Sequence, residues 1–474
     1  MSPASSLGGR VLGAALLGTV VLATAGAQSA SAQSLNEALI QTYQSNPTLS
    51  AARAELRATN ERVPQALSNW RPLVEVEGRG GKAYDDDTRP TSNNEGRSPA
   101  SGELVVTQPL YRGGRTVAGT ERAENEVLAQ RARLETTEQD VLFNAVTAYA
   151  DVWRDQSVLQ LNINNEQVLS RQLEATQDRF DVGELTRTDV AQSESRLSSA
   201  TADRIGAEGN LSSSRANFEN VIGVYPQQLD QPPLPPELPS NLEEVVSAAE
   251  SSNPAVLATT YDELAALRSV REVEGELLPS VNLQGSLGYQ HENSSRSSEG
   301  SSAEILAIVS VPLYQQGSVS SRVRESKQVA SQRRLLVREA LRQARDDAIS
   351  AWESLQTARA QIRALEQSVR ANEIALEGVR QENAVGARTI LDVLDAEQEL
   401  LDAQVGLVSA KRDEIVASYA VLSAVGRLTA ANLGLSTAIY DPQEDYRTVR
   451  DKWFGLDAPG AEVESFQGGV TGNQ

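Results

Sequence analysis

The chain carries nearly the same message twice. Ser45-Asn46-Pro47 returns as Ser252-Asn253-Pro254 and Pro72 as Pro279, both at an offset of 207 residues. Gln108-Pro109-Leu110-Tyr111 returns as Val311-Pro312-Leu313-Tyr314, at an offset of 203. Asp181-Val182-Gly183 returns as Ala384-Val385-Gly386 at that same offset of 203, and Thr186 to Val190 return as Thr389 to Val393. Chance matches would not hold one register and then slip it once, inside a variable loop. The unit is too long for a solenoid repeat and fits a duplicated half of one fold.

Residues 1–32 have the layout of a secretory signal peptide. Arg10 precedes a small, apolar run from Val11 to Ala25, and Ala30-Ser31-Ala32 fits the small-x-small pattern before a cleavage site. Cleavage is expected after Ala32. The mature chain then works beyond the inner membrane, yet the sequence has no cysteine, so it uses no disulfides and carries no lipid on cysteine. A formal charge of −21 argues against nucleic acid as a partner, because phosphate binding needs clustered Lys and Arg. After residue 32 no stretch is apolar enough for a membrane helix. A membrane protein without such helices has to use a closed β-barrel, since lipid offers no partner to unpaired backbone groups.

Proline marks the layout. Residues 110–225 and 313–441 contain none, whereas Pro226, Pro232, Pro233, Pro235, Pro236 and Pro239 cluster in an extended linker at 226–240. In the second half Leu355, Ala358, Ile362, Leu365, Val369, Asn372, Leu376 and Val379 form a heptad seam, and Leu394, Leu401, Val408, Ile415 and Leu422 follow at every seventh position. The first half is similar, with Leu142, Ala145, Tyr149, Val152, Leu159 and Ile163. From Arg115 to Val182 such a helix runs on the order of 100 Å, which no globular domain can house. Each helix pair turns at a glycine, Gly183 or Gly386, and Thr186 to Asp189 and Thr389 to Asp392 have the spacing of a capping box at the returning helix.

The segments ahead of the long helices have period two. Val281, Leu283, Gly285, Leu287 and Tyr289 alternate with Asn282, Gln284, Ser286, Gly288 and Gln290, and Ile305, Ala307, Val309 and Val311 share a face of the next segment. Val74, Val76, Leu104 and Val106 repeat the pattern more weakly, with polar loops near 85–100 and 291–302. One-sided strands with long polar loops at one end are the pattern of an outer-membrane barrel, and Tyr84, Tyr289, Tyr111 and Tyr314 suit its aromatic girdles.

The expected layout is therefore a signal peptide at 1–32, a first repeat at 33–225, the linker at 226–240, a second repeat at 241–427, and a flexible periplasmic segment at 428–474. The first repeat has strands near 73–84 and 101–108 and helices near 115–182 and 186–222; the second has strands near 280–290 and 303–311 and helices near 317–384 and 388–427. Two strands per half cannot close a barrel within one chain. Three chains give about twelve strands, the smallest count that leaves a usable lumen.

These residues resemble the TolC-like outer membrane efflux proteins over nearly the whole mature chain. The resemblance rests on the Asn-Pro near the start of each half and on Gln108-Pro-Leu-Tyr-x-Gly-Gly114. It rests also on the run from Phe180 to Val190 and, most specifically, on the run from Val385 to Ala396. It implies an α-helical barrel joined to a transmembrane β-barrel: a homotrimer with a twelve-stranded barrel in the outer membrane of a Gram-negative bacterium and a helical tunnel in the periplasm. It further implies an exit duct for type I protein secretion or multidrug efflux. The expected partners are a periplasmic adaptor (membrane fusion) protein, an inner-membrane ABC or proton-driven transporter, and outer-membrane lipid. By the same resemblance Val182, Gly183, Val385 and Gly386 form the tip turns that meet the adaptor. Asp392 and Asp395 form acidic rings at the entrance, which favour cations and raise each other's carboxyl pKa values. Arg388 and Asp189 join the network that closes the entrance, whose family tyrosine is replaced here by Asn383.

Two other readings compete. An enzyme finds little in the sequence: the single histidine, His291, falls in a polar loop, no phosphate-binding glycine loop follows a strand, and no cofactor or metal set is visible. Asp85-Asp86-Asp87 lacks the spaced ligands of a calcium loop. A soluble periplasmic coiled-coil adaptor would explain the export signal and the heptads, but not the alternating strands.

Overall fold

The computed structural model describes residues 33–84, 96–235, 237–294 and 297–458. The signal peptide, the Asp85–Asp87 loop and the Gly468-Gly469 tail lie outside these residues.

Each half opens with short helices. α1 (Leu35–Ser45), α2 (Pro47–Asn60) and α3 (Arg62–Leu67) lead to strand β1 (Leu73–Gly80), a small hairpin of β2 (Ala83–Tyr84) and β3 (Gly96–Arg97), and β4 (Ala100–Arg112). The helix α4 (Arg115–Asp181) and the returning α5 (Arg187–Ile222) complete the first half. The second half repeats this with α6 (Leu242–Ser252), α7 (Pro254–Glu274), β5 (Ser280–His291), β6 (Glu299–Ser310), α8 (Ser318–Ala384) and α9 (Ile390–Ala424), followed by α10 (Glu444–Val449).

The duplication holds at the level of single hydrogen bonds. The Asn46 side chain caps α2 by accepting from the Thr48 amide at 2.9 Å, while its Nδ2 donates to the Val221 carbonyl at 3.1 Å. Asn253 caps α7 by accepting from the Ala255 amide at 2.9 Å and donates to the Ala424 carbonyl at 3.1 Å. Pro47 and Pro254 follow at the first helical position, where a missing N–H costs nothing. Each Asn-Pro thus starts one helix and ties it to the end of another.

Strands β1, β4, β5 and β6 form one antiparallel sheet in that order, the two halves meeting at β4 and β5. Directly opposed residues share a face. Val74 opposes Val106, Val76 opposes Leu104, Leu104 opposes Leu287, Leu283 opposes Ala307, and Val281 opposes Val309, so one face is apolar across all four strands. The other face is mixed: it carries Glu75, Glu77, Glu103, Gln284, Ser286 and Glu304 together with Leu73, Val105, Leu306 and Ile308. β1 and β6 are the sheet edges and are exposed along their whole length. β4 continues beyond 108 to Arg112 because a register shift between Pro109 and Tyr111 accommodates the proline, which has no N–H for the ladder. β6 begins at Glu299, ahead of the expected 303, by pairing with His291. His291 is therefore no free loop residue: it ends β5, with Nδ1 2.9 Å from Glu299.

The core lies where the short helices meet the long ones. Leu35, Leu39 and Tyr43 of α1 pack with Leu142, Val146 and Tyr149 of α4, Phe218 and Ile222 of α5, and Ile415, Tyr419 and Leu422 of α9. Each such side chain contributes roughly 1.5–3 kcal/mol when fully buried. The linker is held here too: the Tyr149 hydroxyl donates to the Gln33 carbonyl at 2.6 Å, with the Asp230 carbonyl as a second acceptor at 3.0 Å. Residues 428–458 are not the loose extension expected from their weak periodicity. Leu428 and Ala430 are fully buried, the Ala430 amide donates to Glu138 at 2.7 Å, and Val449 is buried on α10. Single anchors spaced along an irregular strap leave no period to read.

Candidate functional site

The two hairpin tips are built alike. α4 ends in a Schellman turn, in which the Gly183 amide donates to Phe180 O at 2.9 Å and Glu184 to Arg179 O at 2.9 Å. α8 ends the same way, with Gly386 donating to Asn383 O at 3.0 Å and Ala387 to Glu382 O at 2.9 Å. Gly183 and Gly386 have φ of 83° and 78°, the left-handed conformation that a side chain would strain. Thr186 and Thr389 then cap the returning helices through reciprocal boxes with Asp189 and Asp392. The Val182 and Val385 side chains stand exposed at 73% and 80%, with Phe180 also exposed beside the first turn, so both tips present apolar surface.

An ion pair braces each turn, with its charges exchanged between the halves. Arg179 pairs with Glu184 at 3.1 Å in the first turn; Glu382 pairs with Arg388 at 2.8 Å in the second. Arg388 Nη1 also lies 3.9 Å from Asp392. The hydrogen bond to Glu382, reinforced by Asp392, holds the Arg388 guanidinium above its usual pKa. The Thr389 hydroxyl and amide, which donate to Asp392 at 2.7 and 2.9 Å, hold that carboxyl below the usual carboxylate range. Within one chain this opposes the upward shift expected from ring repulsion. Asn383 Nδ2 donates to the Arg388 carbonyl at 2.9 Å and is occupied inside its own turn.

Within one chain each of these residues serves its own turn. Arg388 is engaged by Glu382 and Asp392, and Asp189 by Thr186. Within one chain Arg196 of α5 joins the two hairpins by donating to Asp395 of α9. Beside it Leu169, Ala200, Ile390 and Leu394 form a small buried cluster, with Leu197 against it. Farther from the tip Arg412 of α9 pairs with Asp151 of α4 at 2.8 Å. Arg196 stands seven residues after Asp189 and Asp395 three after Asp392, so counting from the two turns sets them about one helical turn apart and does not reveal the pair.

The model of the family described as outer membrane efflux protein matches residues 24–224 and 245–427, one match for each half. The chain belongs to the outer membrane efflux protein family. It is 36% identical to the outer membrane efflux protein BepC of Brucella suis, over 90% of this chain and 92% of that protein. It is 26% identical to the outer membrane protein TolC of Escherichia coli, over 86% of each. The solved outer membrane protein VceC of Vibrio cholerae superposes with a TM-score of 0.72 at 20% identity, over 83% of this chain and 96% of that one, which establishes the shared fold. The long helices and the four-stranded sheet are the fold that this chain shares with that outer membrane protein.

Proposed function

We propose that this chain is the exit duct of a tripartite export system, serving type I protein secretion or multidrug efflux, and that it works as a homotrimer. The observation that carries this reading is the sheet, which has one continuous apolar face, an opposite face that holds the carboxylates, and two unpaired outer edges. β5 and β6 have 12 residues each. At about 3.3 Å per residue and a tilt of about 40° such strands stand roughly 30 Å tall, the thickness of a bilayer core. Joining β6 of one protomer to β1 of the next leaves no open edge and yields a barrel of about twelve strands, with lipid outside and water inside. α4 and α8, of 67 residues each, extend the wall on the order of 100 Å into the periplasm.

The hairpin tips then surround the periplasmic entrance. Asp392 and Asp395 lie three residues apart on α9 and place acidic rings around it. Arg388, Asp189 and Asn383 stabilise the tip turns, and Val182, Gly183, Val385 and Gly386 present the surface for an adaptor protein bound to an inner-membrane transporter. A soluble adaptor would leave the apolar sheet face in water, so the channel accounts for more of the molecule. The purified protein should conduct ions with cation preference in planar bilayers and stay in the membrane pellet after carbonate washing. Full release by carbonate, with no conductance, would sink the proposal.

A further inference from the structure

We propose that Arg196 sets the ionic selectivity of the entrance by cancelling the charge of Asp395, leaving the ring around Asp392 to carry the net negative field; this rests on the entrance reading above. Arg196 Nη2 donates to Asp395 Oδ1 across the gap between the hairpins. Both side chains are partly exposed, at 39% and 52%, so each remains in contact with solvent and able to act on a passing ion. The buried cluster of Leu169, Ala200, Ile390 and Leu394 fixes the two backbones beside the pair. The weak intrinsic strength of an exposed ion pair is therefore not what holds the charges together.

The second turn differs in its balance. Glu382 and Asp392 share the single guanidinium of Arg388, which leaves one net negative charge there per chain. Arg196 and Asp395 sum to zero. Two aspartates three residues apart thus make unequal contributions, and removing the arginine would equalise them.

Block by a trivalent cation, hexaamminecobalt(III), added to the periplasmic side of the trimer in a planar bilayer, reads this directly. Three added carboxylate charges, one per chain, each about 10 Å from a trivalent ion in a water-like dielectric and screened over about one Debye length, change its affinity about tenfold. Arg196→Ala should tighten block by that factor, Asp395→Asn should weaken it, and the double variant should return to the wild-type value. The chain has no native cysteine, so Arg196→Cys offers a second route within one folded protein. A cationic methanethiosulfonate reagent should restore wild-type block, and a neutral one should leave it tight. Asp392→Asn is the control for the entrance itself. If it weakens block while Arg196→Ala and the cysteine labels change nothing, Arg196 has no role in selectivity. If Asp392→Asn is also silent, the entrance reading fails with it.

Discussion

Asn383 Nδ2 donates to the carbonyl of Arg388 at 2.9 Å, spanning the turn that joins α8 to α9. The residue standing where the resemblance implies a tyrosine therefore serves its own turn. Asn383→Ala should loosen it by about 1 kcal/mol, a typical net value for one hydrogen bond. Hydrogen exchange at the Ala387 amide, which is bonded to Glu382 O at 2.9 Å, should speed up about fivefold by that conversion. Unchanged exchange would mean that the Schellman turn is stable without the side chain.

Asn46 and Asn253 each perform two tasks, capping one helix and donating to the end of another. Replacing either with Ala should cost about 1–2 kcal/mol. Asn→Asp at the same positions keeps the cap acceptor but sets a carboxylate oxygen against the Val221 or Ala424 carbonyl, so it should not recover the loss. Thermal unfolding of the detergent-solubilised protein compares the two substitutions.

Gly113 and Gln316 are equivalent positions with opposite tolerances. Both have positive φ, 64° and 56°. A Cβ at Gly113 would run into the Gly275 carbonyl oxygen, so Gly113→Ala should be strongly destabilising. Gln316 holds the left-handed conformation with a side chain, and Gln316→Gly should raise stability by up to about 1 kcal/mol. A fall in the unfolding midpoint of Gln316→Gly would show that its side chain contributes more than the backbone strain costs.

Glu138 accepts from the Ala430 amide at 2.7 Å, and burial holds its carboxyl pKa above the ordinary value, offset in part by that hydrogen bond and by Arg53. A carboxyl raised on folding stabilises the protein fully below its unfolded pKa of about 4.3 and loses that contribution as pH rises through the folded value. Glu138→Gln keeps an acceptor for Ala430 without the charge. Its melting temperature should therefore gain on wild type between pH 4 and pH 7. A constant difference across that interval would place the burial penalty elsewhere.

The duplication, the turn glycines and the long helices were legible because each depends on local chemistry: positive φ at Gly183 and Gly386, cap spacing at Thr186 and Thr389, heptads on α8 and α9. The short helices α1 and α6 were not, since eleven residues hold too few turns to declare a stripe. Nor was the strap from Leu428, whose anchors Ala430 and Tyr440 find Glu138 and Tyr43 far away in sequence. The capping boxes were visible, but the ion pairs depended on which side chains the folded hairpins bring to one height. The resemblance implied a network of Arg388 and Asp189, whereas the pairing of Arg196 with Asp395 needed the folded hairpins.

The unpaired edges of β1 and β6 give the most direct test of threefold closure. With no native cysteine to interfere, one cysteine can be placed at Ser302 on β6 and a second stepped from Leu73 to Gly80 along β1. After oxidation in isolated outer membranes, at least one register should yield a gel ladder of monomer and dimer that ends at a closed trimer. Absence of cross-linking at every register, or a ladder running past three chains, would contradict the account.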